Sequence, residues 1–158
     1  MSMVMPVIVG AGPAGVRAAE ALVAQGLRPV VLDEAPRAGG QIYRQPPQGF
    51  QRPKHELYGF EHRKADAVHR AMAALLPQVD YRPGSLVWNV DGKTLDVLQD
   101  GVSTAVPYTH LILATGATDR VLPFPGWLTP GVYTLGGSQV ALKYQGCAIG
   151  TRVVFMGT

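Results

Sequence analysis

The chain has 158 residues, 47% hydrophobic and 16% charged, enough to bury one full core, and this balance excludes disorder as its main state. Its formal charge of +3 is modest, and seven of the fourteen Lys and Arg fall between Arg37 and Arg70, among Glu56, Glu61 and Asp66; there is no dense basic stripe or recognition motif for nucleic acid, and an anionic cofactor or partner accounts for the excess. Cys147 is the only cysteine, which excludes an intrachain disulfide, a C-x-x-C pair and a cysteine zinc site, and makes the reducing cytoplasm the simplest compartment.

The first apolar run, Met3 to Val9, is too short to span a bilayer and lacks the basic lead of a secretory signal, so it reads as the first strand. It runs into Gly10-Ala11-Gly12-Pro13-Ala14-Gly15, a glycine turn opening a helix over about Pro13 to Gln25 that Gly26 caps. In such a G-x-G-x-x-G turn Gly10 permits the sharp exit from the strand. Gly12 lets bare backbone approach a pyrophosphate, and Gly15 lets the helix pack closely on the sheet. Pro13 and Ala14 begin the helix whose unpaired N–H groups and positive end point at the phosphates. Glycines also serve ordinary turns, but here strand, turn, helix and second strand follow in the required order. That second strand, Val30-Val31-Leu32, ends at Asp33, placed to accept hydrogen bonds from ribose hydroxyls; Glu34 belongs to the same corner, with its side chain expected to point elsewhere.

From Ala38 to Pro53 the Gly-, Pro- and Gln-rich sequence predicts a long loop, of the kind that binds a ligand or wraps a partner. A helix is expected from about Phe60 to Leu76, ended by Pro77, and then a third parallel strand at Val79-Asp80-Tyr81. Leu86 to Val90, Thr94 to Leu98 and Val102 to Val106, separated by Asp91-Gly92 and Asp100-Gly101, predict a three-stranded antiparallel meander. Leu111-Ile112-Leu113-Ala114-Thr115-Gly116 then returns to the parallel sheet. At the end, Val153-Val154-Phe155-Met156-Gly157-Thr158 echoes the first strand and its glycine, and reads either as an ordinary final strand or as the start of a second dinucleotide motif. On the second reading the sequence is the front part of a longer protein.

These signals in this order, Gly10 to Gly15, Asp33, Gly39-Gly40-Gln41 and Ala114-Thr115-Gly116, resemble the FAD-binding part of the pyridine nucleotide-disulfide oxidoreductase-like superfamily. Gly39 to Pro47, Ala114 to Arg120, Pro123 to Trp127 and Gly146 to Gly150 resemble a narrower group within it, the larger subunits of opine and amino-acid oxidases or dehydrogenases and hydrogen cyanide synthase, with relatives of sarcosine oxidase. The resemblance implies an α/β fold: a Rossmann-like FAD-binding domain with a parallel sheet, flanking helices and an inserted meander. It implies an FAD-binding segment at 1–126, and at 127–158 a linker and the first strand of a second dinucleotide-binding domain. It further implies that Gly10, Gly12, Pro13, Ala14 and Gly15 hold the FAD pyrophosphate and that Asp33 meets the ribose. Gly40 and Gln41 would pass the flavin, and Ala114, Thr115 and Gly116 would lie where the chain leaves the FAD domain. Arg44 is a candidate partner for phosphate or for negative charge on reduced flavin, or else a solvent-facing arginine. The cysteine pair of the disulfide reductases is missing, which excludes dithiol chemistry.

Other residues invite sharper readings that the sequence does not favour. His55, His62 and His69 recur every seven residues, but such a step rises roughly 10.5 Å along a helix, too far for successive histidines to share a metal, so a solvated or partner-facing stripe is expected. Cys147, among Gly146, Ala148 and Ile149, reads as a small buried side chain rather than a nucleophile. Trp127 and Tyr133 read as anchors of a linker on the core rather than as flavin-stacking rings. Ser138 lacks the setting of a hydrolase nucleophile. The expected protein is therefore the FAD-binding portion of a flavin-dependent oxidoreductase that oxidises a C–N bond of an amine, amino acid or opine, with no catalytic residue assigned and no metal. It admits NAD(P) in the complete protein, other oxidoreductase subunits or a second copy as partners, and no nucleic acid or membrane span. The alternatives are an NAD-binding dehydrogenase module and a non-catalytic flavin-fold subunit that works through assembly.

Overall fold

In the computed structural model, which describes residues 4–157, a four-stranded parallel sheet lies between a helical layer and an antiparallel meander. The parallel strands are β1 (Pro6–Val9), β2 (Val30–Asp33), β3 (Asp80–Pro83) and β7 (His110–Leu113), in the order β3-β2-β1-β7. The meander is β4 (Ser85–Asp91), β5 (Thr94–Gln99) and β6 (Val102–Pro107), in sequence order. Alternation along the parallel strands builds the two interfaces. Ile8 and Val31 face the helices, α1 (Pro13–Ala24) and α3 (His62–Leu75), while Val7 and Leu32 face Leu95, Val97 and Val106 of the meander.

The helices form where the sequence permits. In α1, Pro13 occupies the first turn, and the end is closed by Gly26 at φ 74°, whose N–H donates to the Val23 carbonyl at 2.9 Å. In α3, Ala65, Val68, Met72 and Leu75 fall at three- and four-residue steps and make its buried face. The loop after β2 has no regular structure up to Pro53, as expected, but a short helix α2 (Lys54–Tyr58) follows it and a 3-10 turn links it to α3. The meander turns differ slightly in place: Asp91 pairs with Thr94, so the first turn is Gly92-Lys93, whereas the second is Asp100-Gly101 as predicted.

Beyond β7 three expectations are corrected. Residues 153–157 form no strand, and Val154, Phe155 and Met156 are exposed; an apolar run without a ladder partner among the described residues has nowhere to place its backbone hydrogen bonds. Thr158, the last residue of that predicted motif, and Met3, the first of the opening run, lie outside the described residues. Cys147 is exposed rather than buried, because its small neighbours form an open bend in which its thiol donates to the Gln145 carbonyl at 3.6 Å. Trp127 and Tyr133 enter neither core: 117–135 runs over the surface in glycine- and proline-rich turns that leave Trp127 38% and Tyr133 52% exposed. A short helix α4 (Leu135–Gln139), capped by the Thr134 hydroxyl accepting from the Gly137 N–H, continues into a π-helical turn (Val140–Tyr144). Among the described residues no helix is long and apolar enough to cross a membrane.

Candidate functional site

The C-terminal ends of β1, β2 and β7 open into one cleft of about 1020 Å³, at the point where the strand order reverses across β1. In open α/β sheets this crevice is where ligands bind. Its size is at the upper end of the roughly 300–1,000 Å³ typical of small-molecule sites, which suits an extended dinucleotide.

Gly10 leaves β1 at φ 102° with its N–H donating to the Leu32 carbonyl at 2.7 Å, and a side chain there would strike the Ala114 carbonyl. A Cβ on Gly15 would drive into the Gly10 carbonyl, so the helix can sit this close to the turn only without one. Between them, Ala11 is fully buried and ties the turn to two other elements. Its N–H donates to Asp33 Oδ2, and its carbonyl accepts from Gly39 N–H at 2.9 Å. The start of α1 thus lines the cleft at Gly12, Pro13 and Ala14, the position in which the positive end of a helix can serve an anion.

Asp33 is buried at the end of β2, and its second carboxylate oxygen accepts from Ala35 N–H at 2.7 Å. Burial pushes its carboxyl up from the usual range, while the N–H groups of Ala11 and Ala35 pull it back. Each oxygen retains a lone pair for a hydroxyl donor from a ligand. Glu34, expected to point elsewhere, also lines the cleft and is exposed.

The loop from Gly39 brings the second half of the site. Gly40, Gln41 and Arg44 line the cleft, and Gly40 packs so closely on the glycine turn that a Cβ on it would stand 2.9 Å from Gly12 Cα. Arg44 is half-buried on the cleft wall, its guanidinium 5.6 Å from the Tyr144 ring centroid, and its buried Nε has no hydrogen-bond partner. Ala114, Thr115 and Gly116 line the opposite side, with Ala114 N–H held by the Val9 carbonyl at 2.8 Å. Every residue expected at the site therefore lines this cleft except Gly15, which acts one layer below.

Sequence reasoning missed two contributors. Ser85, at the start of β4, lines the cleft, and its buried hydroxyl has no partner; only the packing of the meander on β2 brings it there, and no local signal marks it. Asp119 lines the far end, its carboxylate accepting from Gly136 N–H at 2.7 Å. The histidine stripe dissolves, because α2, the 3-10 turn and α3 are separate pieces: His55 is exposed, His62 Nδ1 meets the Gly59 carbonyl, and His69 is half-buried against Tyr43. No cluster of three metal-binding side chains occurs among the described residues.

The profile of the pyridine nucleotide-disulphide oxidoreductase family matches residues 5–157. An opine oxidase subunit of Agrobacterium tumefaciens (strain Ach5) is 38% identical over 95% of this chain and 31% of its own length. Hydrogen cyanide synthase subunit HcnB of Pseudomonas aeruginosa is 42% identical over 87% of this chain and 30% of its own. The chain thus spans about a third of the length of these curated relatives, at 31% and 30%. Among solved structures, L-proline dehydrogenase from P. horikoshii superposes with a TM-score of 0.70 at 21% identity, covering 93% of this chain and 29% of that one, which shows the shared fold.

Proposed function

The chain belongs to the pyridine nucleotide-disulphide oxidoreductase family, a family of oxidoreductases, and from that premise we propose that it is the FAD-binding portion of a flavin-dependent enzyme oxidising a C–N bond of an amine, amino acid or opine. The observation that carries the reading is the junction of Gly12 with Gly40. It joins a dinucleotide turn to a second glycine-lined wall, which a flat ring system can approach and which a cofactor held by the turn alone does not require. Arg44 and Ser85 both line the cleft, and the buried Arg44 Nε and Ser85 hydroxyl lack a protein partner, which supports a polar ligand there.

Flavin, when bound, would supply the redox chemistry as the hydride acceptor. The chain's own residues bind and orient it. Gly10, Gly12, Pro13, Ala14 and Gly15 present the helix end to the pyrophosphate; Asp33, with Glu34 beside it, accepts from the ribose. Gly40 and Gln41 form the wall beside the ring, Arg44 offers positive charge, and Ala114, Thr115 and Gly116 close the other side. The relatives' names as subunits support further oxidoreductase subunits as partners, and the exposed run Val154 to Met156 supports assembly as a second reading. A cytoplasmic site of action is part of the same proposal, and the exposed free thiol of Cys147 is compatible with reducing surroundings.

The test is the visible spectrum of the purified chain and its thermal stability with added FAD or NAD. A yellow protein, or one stabilised by FAD and not by NAD, supports the reading. Stabilisation by NAD alone would replace it with the nicotinamide module, and no response to either would leave the assembly role.

A further inference from the structure

Three consecutive carbonyls of the cleft loop are each taken by a side chain from a different element. The Ile42 carbonyl accepts from Lys143 Nζ at 2.7 Å, the Tyr43 carbonyl from His69 Nε2 at 2.8 Å, and the Arg44 carbonyl from the Tyr58 hydroxyl at 3.0 Å. His69 therefore carries its proton on Nε2, since a carbonyl can only accept. The donors also touch one another. Tyr58 and His69 stack edge to face at 5.9 Å, and Lys143 Nζ lies 5.8 Å from the Tyr58 ring centroid. None of the three lines the cleft, whereas Ile42 and Arg44 do.

Each captured carbonyl fixes a peptide plane, so this run has its polar backbone satisfied on the side away from the ligand and loses its freedom to turn. The loop's own bonds add to this. Gly39 N–H reaches Ala11, Tyr43 N–H returns to the Gly39 carbonyl at 3.2 Å, and Gln45 Nε2 donates to the Ala38 carbonyl at 2.9 Å. Lys143 is the most distant donor in sequence and the only charged one. It is half-buried, burial pushes its ammonium down from the ordinary range, and its other bond goes to Gln139 Oε1 at 3.1 Å. Its neighbour Tyr144 carries the Arg44 guanidinium, so two adjacent residues of the π-helical turn hold the loop, one by backbone and one by side chain.

We propose that Lys143, together with His69 and Tyr58, is a positioning residue for the flavin half of the site: the clamp on carbonyls 42 to 44 holds the Gly40-Gln41 wall and Arg44 in the shape that receives the ring. The assignment rests on the FAD reading above. It ties cofactor binding to the docking of the α4 segment, which no local feature of the glycine turn requires. The ADP half, seated on the turn and Asp33, meets the clamped loop only indirectly, through the Gly40–Gly12 contact, the Gly39–Ala11 hydrogen bond and the charge of Arg44.

Binding of FAD and of ADP is to be measured by calorimetry on the full chain, as wild type and as Lys143→Met, Lys143→Arg and Tyr58→Phe, with trypsin cleavage after Arg44 followed on the same proteins. Lys143→Met is expected to weaken FAD roughly 5-fold or more, the loss of one charge-assisted hydrogen bond, while ADP changes less than about 2-fold. Tyr58→Phe should act in the same direction, Lys143→Arg should recover most of the affinity, and cleavage after Arg44 should quicken in Lys143→Met and slow again on saturation with FAD. Wild-type protein that binds no FAD would overturn the FAD reading and the clamp with it. Wild type that binds FAD, with Lys143→Met binding it equally well and cut no faster, would overturn the clamp alone, as would an equal loss for FAD and ADP.

Discussion

Gly40 and Gly12 meet backbone to backbone, and with Gly40 at φ 62° a side chain on it would be both strained and 2.9 Å from Gly12 Cα. Neither backbone can move without disturbing the Gly39-to-Ala11 hydrogen bond beside them. Gly40→Ala is therefore expected to cost about 1–3 kcal/mol of stability and to weaken dinucleotide binding. Urea unfolding followed by an FAD titration checks both. An alanine variant as stable as wild type would show that the two backbones are not in contact.

His69 sets a pH dependence whose sign follows from its burial. Desolvation holds the imidazole below its ordinary value of 6.5 in the folded chain, despite the Tyr43 carbonyl that favours the proton. As pH falls through 6.5 and below, the unfolded chain binds a proton that the folded chain does not, so stability is lost on acidification. His69→Gln, which keeps a donor for Tyr43, is expected to remove this slope. Melting temperatures of the two proteins from about pH 7.5 to about pH 5.5 should converge or cross as the pH drops, and parallel curves would count against it.

Tyr43 should titrate late. Its hydroxyl donates to Glu61 Oε2 at 2.5 Å, which together with burial pushes the phenol up to about 12. Glu61→Gln removes the charge, so the phenol is expected to ionise at lower pH. Ultraviolet difference titration of that variant against wild type reads the shift.

The second meander turn has Asp100 at φ 51° and Gly101 at φ 77°, the left-handed pair a two-residue hairpin demands. Asp100→Val places a β-branched residue in that conformation and is expected to cost about 1–2 kcal/mol, whereas Asp100→Asn should be nearly silent. Thermal unfolding separates the two, and equal melting points would refute the turn assignment.

Cys147, exposed at its bend, is expected to react with a thiol reagent in the native protein as completely as after unfolding. Labelling that needs denaturant would restore the buried reading.

Much of the fold and site is legible in the sequence because its signals are local. The turn at Gly10 to Gly15, the break at Gly26, the end of α3 before Pro77 and the two hairpins, the first of which turns one residue later than expected, each depend on residues a few positions apart, and the long loop announces itself by composition. Hidden from view is what distant elements impose on one another. His69 reads as part of a surface stripe because the change of helix before it, and the Tyr43 carbonyl it serves, are set by tertiary packing. Ser85 becomes a cleft residue only when the meander folds over β2, and Lys143 meets Ile42 across 101 positions of sequence. The burial expected of Cys147 fails for the converse reason: small apolar neighbours imply burial only where something packs on them.

The alternation of β1 between two layers has a mechanical consequence. Val7 belongs to the meander interface and Ile8 to the helical one, and two residues later the strand ends in Gly10, hung from the Leu32 carbonyl. Sliding β1 by one position would exchange the two layers' side chains and carry the glycine turn off its anchor at the same time. The two cores thus act as a vernier on the nucleotide turn: the hydrophobic layers on opposite faces of the sheet must agree on one register before the cleft exists, and a single-residue insertion within Pro6–Val9 would abolish it while leaving every cleft residue in the sequence.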